Sequence, residues 1–230
     1  MPRLNYTKPP IVEAVIELQF ETPWSQEAHG KLQDALMTSY PGKTRHIERD
    51  DSFGDPIHVV LLQTETCTEA VGLGVQIPLV AIHSLAPYAG WSRFVERTDA
   101  VLRLYDKFVR PRSLLRVSVR YIDRIVLPRE AVLADYFTCL PPIPKGMARH
   151  MDGFSIVLQT REGGTSTQLA MSSDDPVDGK IVILYDLNIE TQPSRPTGIT
   201  AWKTLASEAH ELQREIFENS ITERTRRLFI

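Results

Sequence analysis

Two cysteines in 230 residues, Cys67 and Cys139, are all the thiol this chain has. Neither stands in a CxxC pair and their separation offers no disulfide framework, so a cystine-stapled extracellular fold is not expected. Both read as buried or half-buried small hydrophobes in a reducing cytoplasm. Cys67 lies in a polar loop and could act as a nucleophile, but no partner for it is visible in the sequence. Long apolar runs are missing as well. Stretches such as Ile181 to Leu184 fall far short of the roughly 20 residues that cross a bilayer, so no membrane span is expected. The opening MPRLNYTKPPIVEAV has no apolar core followed by a small-residue cleavage site, which argues against export. There is no basic excess: a net charge of −3 and a pI near 6.1 count against a non-specific, electrostatically driven nucleic-acid binder, although a local basic face stays open. P-loop, GxGxxG and GxSxG patterns are absent, leaving nucleotide cradles and nucleophile elbows without support. His29, His46, His58, His83, His150 and His210 show no HExxH or zinc-knuckle spacing, and Asp174, Asp175 and Asp178 lack the ligand pattern of a calcium loop. No metal and no cofactor are expected.

What the chain does have is a strand with two unlike faces. In LLRVSVRYIDRIVL, from Leu114 to Leu127, apolar and polar residues alternate at period two. Leu115, Val117, Val119, Tyr121 and Ile125 share one face; Arg116, Ser118, Arg120, Ile122 and Arg124 share the other. Arg116 and Arg120 lie about 13 Å apart on an extended strand, so the guanidinium groups form a stripe rather than one pocket. A second alternating strand, Ile11 to Phe20, carries Glu13, Val15, Glu17 and Gln19 on one face and Val12, Ala14, Ile16, Leu18 and Phe20 on the other.

Between these strands, Ser25 caps a helix running to about Tyr40 with Leu32, Ala35, Leu36 and Tyr40 inward, and Pro41 and Gly42 end it. Three strand-like runs follow at 44–48, 57–64 and 70–83, the first two separated by the turn DSFGDP at 51–56; Gly72 and Gly74 mark a bulge or a close approach of backbones. Trp91 to Val109 is the strongest helix, with Trp91, Phe94, Val95, Thr98, Val101, Leu102, Tyr105 and Phe108 on one face. After the Arg-striped strand come a short helical or irregular piece at 131–137, a proline-rich stop at Pro141, Pro142 and Pro144, and a hairpin over 154–161 and 165–172. A strand at 181–188 and a helix capped by Thr200 and reaching about Asn219 complete the order.

The two halves repeat one sequence of elements, and the segments from Trp91 and Trp202 align without a gap, pairing Phe94 with Leu205, Val101 with Leu212 and Tyr105 with Ile216. The expectation is an α+β fold: two pseudo-repeated β-α-βββ-α units, 1–110 and 111–230, standing as two domains or merged into one. Their first strands would pair, building one continuous antiparallel sheet with the long helices packed on one face. Trp91 and Trp202 would anchor the core.

PPIVEAVIELQF at 9–20, HSLAPYAGWSRF at 83–94, VRYIDRI at 119–125 and ITERTRRLF at 221–229 together resemble a bacterial family described only as sporadically distributed and uncharacterised. The likeness runs from residue 9 to residue 229 and brings no activity, substrate or cofactor with it. Patchy distribution among bacteria is what the resemblance implies, and such distribution accompanies defence, toxin and antitoxin, or immunity functions.

Candidate sites follow from charge. Arg116, Arg120 and Arg124 are suited to phosphates or carboxylates, guanidinium being a bidentate donor. If the two striped strands are neighbours, Glu13 and Glu17 would instead face Arg116 and Arg120 and neutralise the row. The row is therefore either paired or wet. His83, at a strand end, reads as a partly buried structural histidine or a site residue. Arg224, Arg226 and Arg227 sit beside an apolar terminus that either docks on its own domain or crosses to another protomer. A non-catalytic protein-binding or regulatory protein is the leading expectation, with a protein partner and a homodimer both open. Nucleic-acid binding across the Arg-bearing face is the alternative, and an enzyme built on His83, Asp123 and Arg124 is the third.

Overall fold

A computed structural model describes residues 6–50, 56–142, 144, 146 and 153–230. The turn expected within 51–55 and His150 lie outside the described residues. The fold is α+β. Nine strands form one antiparallel sheet: β1 (Ile11–Glu21), β2 (Thr44–Asp50), β3 (Pro56–Gln63), β4 (Glu69–Gly74), β5 (Leu79–Leu85), β6 (Ser113–Leu127), β7 (Ser155–Glu162), β8 (Thr165–Val177) and β9 (Lys180–Thr191). Their order across the sheet is β2-β3-β4-β5-β1-β6-β9-β8-β7. The helices are α1 (Gln26–Met37), α2 (Trp91–Val109), α3 (Trp202–Ser220) and the single turn α4 (Glu223–Arg226).

The two striped strands do meet. β1 and β6 pair antiparallel through the middle of the sheet, with Ile16 opposite Val119 and Leu18 opposite Val117. Ala14, Ile16, Leu18 and Phe20 of β1, and Val117, Val119, Tyr121 and Ile125 of β6, enter one hydrophobic core with Leu32 and Leu36 of α1, Phe94, Val101, Leu102 and Tyr105 of α2, and Trp202, Ala206, Ala209 and Phe217 of α3. Burying that many large side chains, at about 1.5–3 kcal/mol each, supplies most of the drive to fold. Ser25 caps α1 as expected, its hydroxyl accepting from the Ala28 N–H at 3.3 Å. That helix stops at Met37, short of Tyr40, which is buried nonetheless.

Four local expectations are corrected. The run 70–83 is two strands, because Gly74, Gln76 with φ at +66° and Pro78 turn the chain between β4 and β5; a Cβ on Gly74 would come within 2.5 Å of the Ile77 side chain. The first half is thus β-α-ββββ-α rather than β-α-βββ-α. Leu115 does not join the core: a bulge between the Gln19–Arg116 and Phe20–Leu114 pairs makes it the extra residue, leaving it 44% exposed and turning Leu114 inward. Thr200 lies in a 3-10 turn, Ile199–Ala201, and does not cap α3. Cys67 is exposed in a turn, whereas Cys139 is half-buried. With the two tryptophans aligned, α2 buries Phe94, Thr98, Val101, Leu102 and Tyr105, while α3 buries Trp202, Ala206, Ala209, Gln213, Phe217 and Ser220; only Ala209 and Gln213 of the latter match buried positions of α2.

Candidate functional site

The face of β1 and β6 turned away from the large core carries the charges, and the sheet order decides who meets whom. Arg116 lies between β1 and β9 and is only 4% exposed. Its Nη1 donates to Glu190 of β9 at 2.9 Å and its Nη2 to Glu17 of β1 at 3.3 Å. Arg120 turns to β9 instead, its Nε donating to Asp186 at 2.7 Å and its Nη2 to the second oxygen of that carboxylate. Arg124 reaches over β9 to Asp174 of β8, 3.1 Å from its Nε. Each arginine of the row therefore has a carboxylate partner, and three of the four partners, Glu190, Asp186 and Asp174, come from strands that sequence alternation had not implicated.

Glu13 bonds the Nδ1 of His83, 2.8 Å away on the adjoining strand β5, rather than Arg120. That hydrogen bond holds the Glu13 carboxyl below the usual carboxylate range. His83 is thus a partly buried histidine engaged by a neighbouring strand. Beside it, Val15, Ile57, Val59, Leu79 and Ala81 make a second, smaller apolar cluster on the charged face.

The C-terminal arginines are engaged within the chain. Arg224 bonds Asp135 at 2.9 Å and lies over the Tyr136 ring, and Arg226 bonds Glu218 at 2.8 Å. Arg227 is exposed and stands 3.9 Å from Glu223. Phe229 is buried against Phe217 and Tyr6, so the terminal turn docks on its own chain.

Asp123, grouped with His83 and Arg124 by sequence, parts company with both. It projects on the opposite side of β6 from Arg124, is 2% exposed, and its Oδ1 has no partner among the described residues. Burial, with Asp186 adding repulsion, pushes its carboxyl up to about 8. His83, Asp123 and Arg124 do not form a constellation. What the same side of β6 does gather is a chain that spacing could not reveal. The Tyr88 hydroxyl pairs with that of Tyr121 at 3.0 Å, Tyr121 with the Nδ1 of His210 at 3.1 Å, and His210 stacks on Trp91 with ring centroids 4.0 Å apart. Three remote segments supply these groups: the 88–91 stretch, β6 and α3. Among the described residues no three His, Cys, Asp or Glu side chains come together as a metal-binding set, and no helix is long and apolar enough to cross a membrane.

The two ends of the sheet differ. The edge strand β2 presents Arg45, His46 and Glu48, all exposed, within seven residues. The other edge strand, β7, reads SIVLQTRE and is exposed along nearly its whole length, with Val157 at 55% and Leu158 at 49%. Thr138, Cys139, Leu140 and Pro141 run beside it and enclose with Ile156, Val157 and Leu158 an open cleft of about 410 Å³. β7 pairs with β8 through the tight Gly163-Gly164 turn, Gly163 taking φ of +56°. No protein-family model matches the chain, and a search of curated proteins returns no significant match.

Proposed function

We propose that this chain is a non-catalytic protein-interaction module that joins another polypeptide by accepting its strand alongside β7. The observation that carries this is the β7 edge, which no other described strand pairs: an uncharged apolar stretch, Ile156 to Leu158, beside an open cleft, at the end of a sheet whose other edge is charged. Strand addition suits such an edge, since main-chain hydrogen bonds supply affinity and flanking pockets supply selectivity. Nucleic-acid binding by the Arg row has less support, because Arg116, Arg120 and Arg124 are each committed to a carboxylate. An enzyme has less still, with Asp123 separated from His83 and Arg124.

The setting belongs to the same proposal. The likeness to a sporadically distributed bacterial family and the scarcity of cysteine favour a bacterial cytoplasm, with a role in a defence, toxin and antitoxin, or immunity locus. The architecture reads as two merged units with the long helices on one face. Its support is the order β3-β4-β5-β1 on one side of the middle, mirrored by β6-β9-β8-β7 on the other, with β2 as an addition.

The test uses the full chain as bait in extract from a native host. A strand-adding partner is expected to slow hydrogen exchange at the outward amides of β7 and to be lost when the bait carries Val157→Lys. A partner held equally by that variant, with β7 exchange unchanged, would overturn the proposal.

A further inference from the structure

Resting on that proposal for β7, we infer that the strand it accepts is β7 of a second copy of this chain, paired antiparallel about a two-fold axis at Val157. The unused backbone groups can be identified. The Phe154 carbonyl accepts from the Ser173 N–H across the β7–β8 pair. Hydrogen-bonded pairs alternate along an antiparallel ladder, so the even-numbered residues of β7 face β8. The N–H and C=O groups of Ser155, Val157, Gln159 and Arg161 therefore point away from the sheet, and none has a backbone partner among the described residues.

Antiparallel pairing of this edge with itself meets a strict condition: odd-numbered residues must oppose odd-numbered residues. A two-fold at Val157 satisfies it, setting Val157 against its own copy and Ser155 against Gln159. It also matches side chains. Ile156 of each copy falls opposite Leu158 of the other, on the side that carries Leu169 and Met171 of β8. The exposed apolar patch is thus covered by the same patch, as an isologous contact requires. Within the matched stretch, Ser155 to Gln159, no charged residue is present, and Arg161 and Glu162 fall beyond it. At the other end of the sheet, Arg45 and Glu48 in β2 are the kind of edge charges that discourage pairing. A foreign strand could satisfy the backbone groups as well; the chain's own β7 adds an apolar trio that matches itself about the two-fold. A strand pair buries less than the roughly 1,200 Å² of a standard interface, which places it among weak contacts, so the micromolar range is the one to examine.

Sedimentation of the full chain across that range tests the inference. The expected result is a rise from 26.1 kDa toward twice that mass, with slowed exchange at the Ser155, Val157 and Gln159 amides. Val157→Pro deletes an outward N–H and spares every bond to β8, so this variant stays monomeric with its melting temperature nearly unchanged. Leu158→Pro, which removes an inward N–H, melts well below both. Should Val157→Pro fail to fold, Val157→Lys, at an exposed position, serves in its place and is expected to be monomeric. A wild-type chain that remains monomeric throughout, or a Val157→Lys variant that dimerises as well as wild type, overturns the inference. A monomer that still captures a host polypeptide at β7 overturns the dimer alone. A monomer whose β7 amides no partner protects removes the wider proposal too.

Discussion

Asp123 and Arg124 are neighbours in the chain and stand on opposite sides of the sheet. The guanidinium has Asp174 as its partner on the charged side, while the carboxyl is buried against the core side with one oxygen unbonded. Alternation along β6 produces that separation, and the separation gives each residue a different dependence on pH.

For Asp123, burial raises the folded-state pKa from 3.8 to about 8. The unfolded chain releases this proton at lower pH than the folded chain does. The stability it contributes is therefore full below about 4, declines as pH rises, and is gone above about 8. Asp123→Asn abolishes that decline. Urea unfolding at pH 5 and pH 8 is expected to show the variant more stable at the higher pH, by on the order of 2–4 kcal/mol. Parallel curves for variant and wild type would contradict it.

Arg116 has the opposite problem. Glu17 and Glu190 are both buried around it, so Arg116→Met leaves two carboxylates in a poorly solvated place. The expected cost is about 3–5 kcal/mol. Arg124→Ala, at a half-exposed pair, costs under about 1 kcal/mol. Denaturant midpoints with unchanged slopes measure the contrast.

Glu13 responds to acid. Its hydrogen bond to His83 depresses its folded-state pKa, so the stability it contributes is present above the ordinary carboxylate range and is lost as pH falls through the depressed value. Glu13→Gln is expected to flatten the acid limb of the stability profile below pH 5 and to cost under about 1 kcal/mol near neutrality. Thermal melts across that limb supply the comparison.

Adjacent leucines test the bulge in β6. Leu114→Ala is expected to cost about 2–5 kcal/mol, the range for a buried leucine, and Leu115→Ala no more than about 0.5 kcal/mol. Equal losses at the two positions would mean that alternation runs unbroken through the start of β6.

Period-two and helical patterns carried β1, β6, α2 and the start of α1 to within a residue or two, because in each the apolar residues fall on one face and that face is buried. Local pattern failed where a single residue changes phase. Leu115 obeys alternation on paper, yet the bulge opposite Gln19 turns it out. Gly74 and Pro78 end one strand and begin another inside what looked like a single run. The charge partners were illegible for a different reason. Glu17 could be matched to Arg116 once β1 and β6 were taken as neighbours, but Asp186, Glu190 and Asp174 required knowing that β9 and β8 follow β6 in space. The Tyr88, Tyr121, His210 and Trp91 chain joins segments more than a hundred residues apart, and no spacing rule spans that gap.

The unequal ends of the sheet bear on what large assemblies this chain can make. A ribbon whose two rims were both receptive would keep recruiting copies and grow into a fibre. With charge guarding β2, the proposed union of two β7 rims would use up the one uncharged sheet edge among the described residues, and growth would stop at the pair.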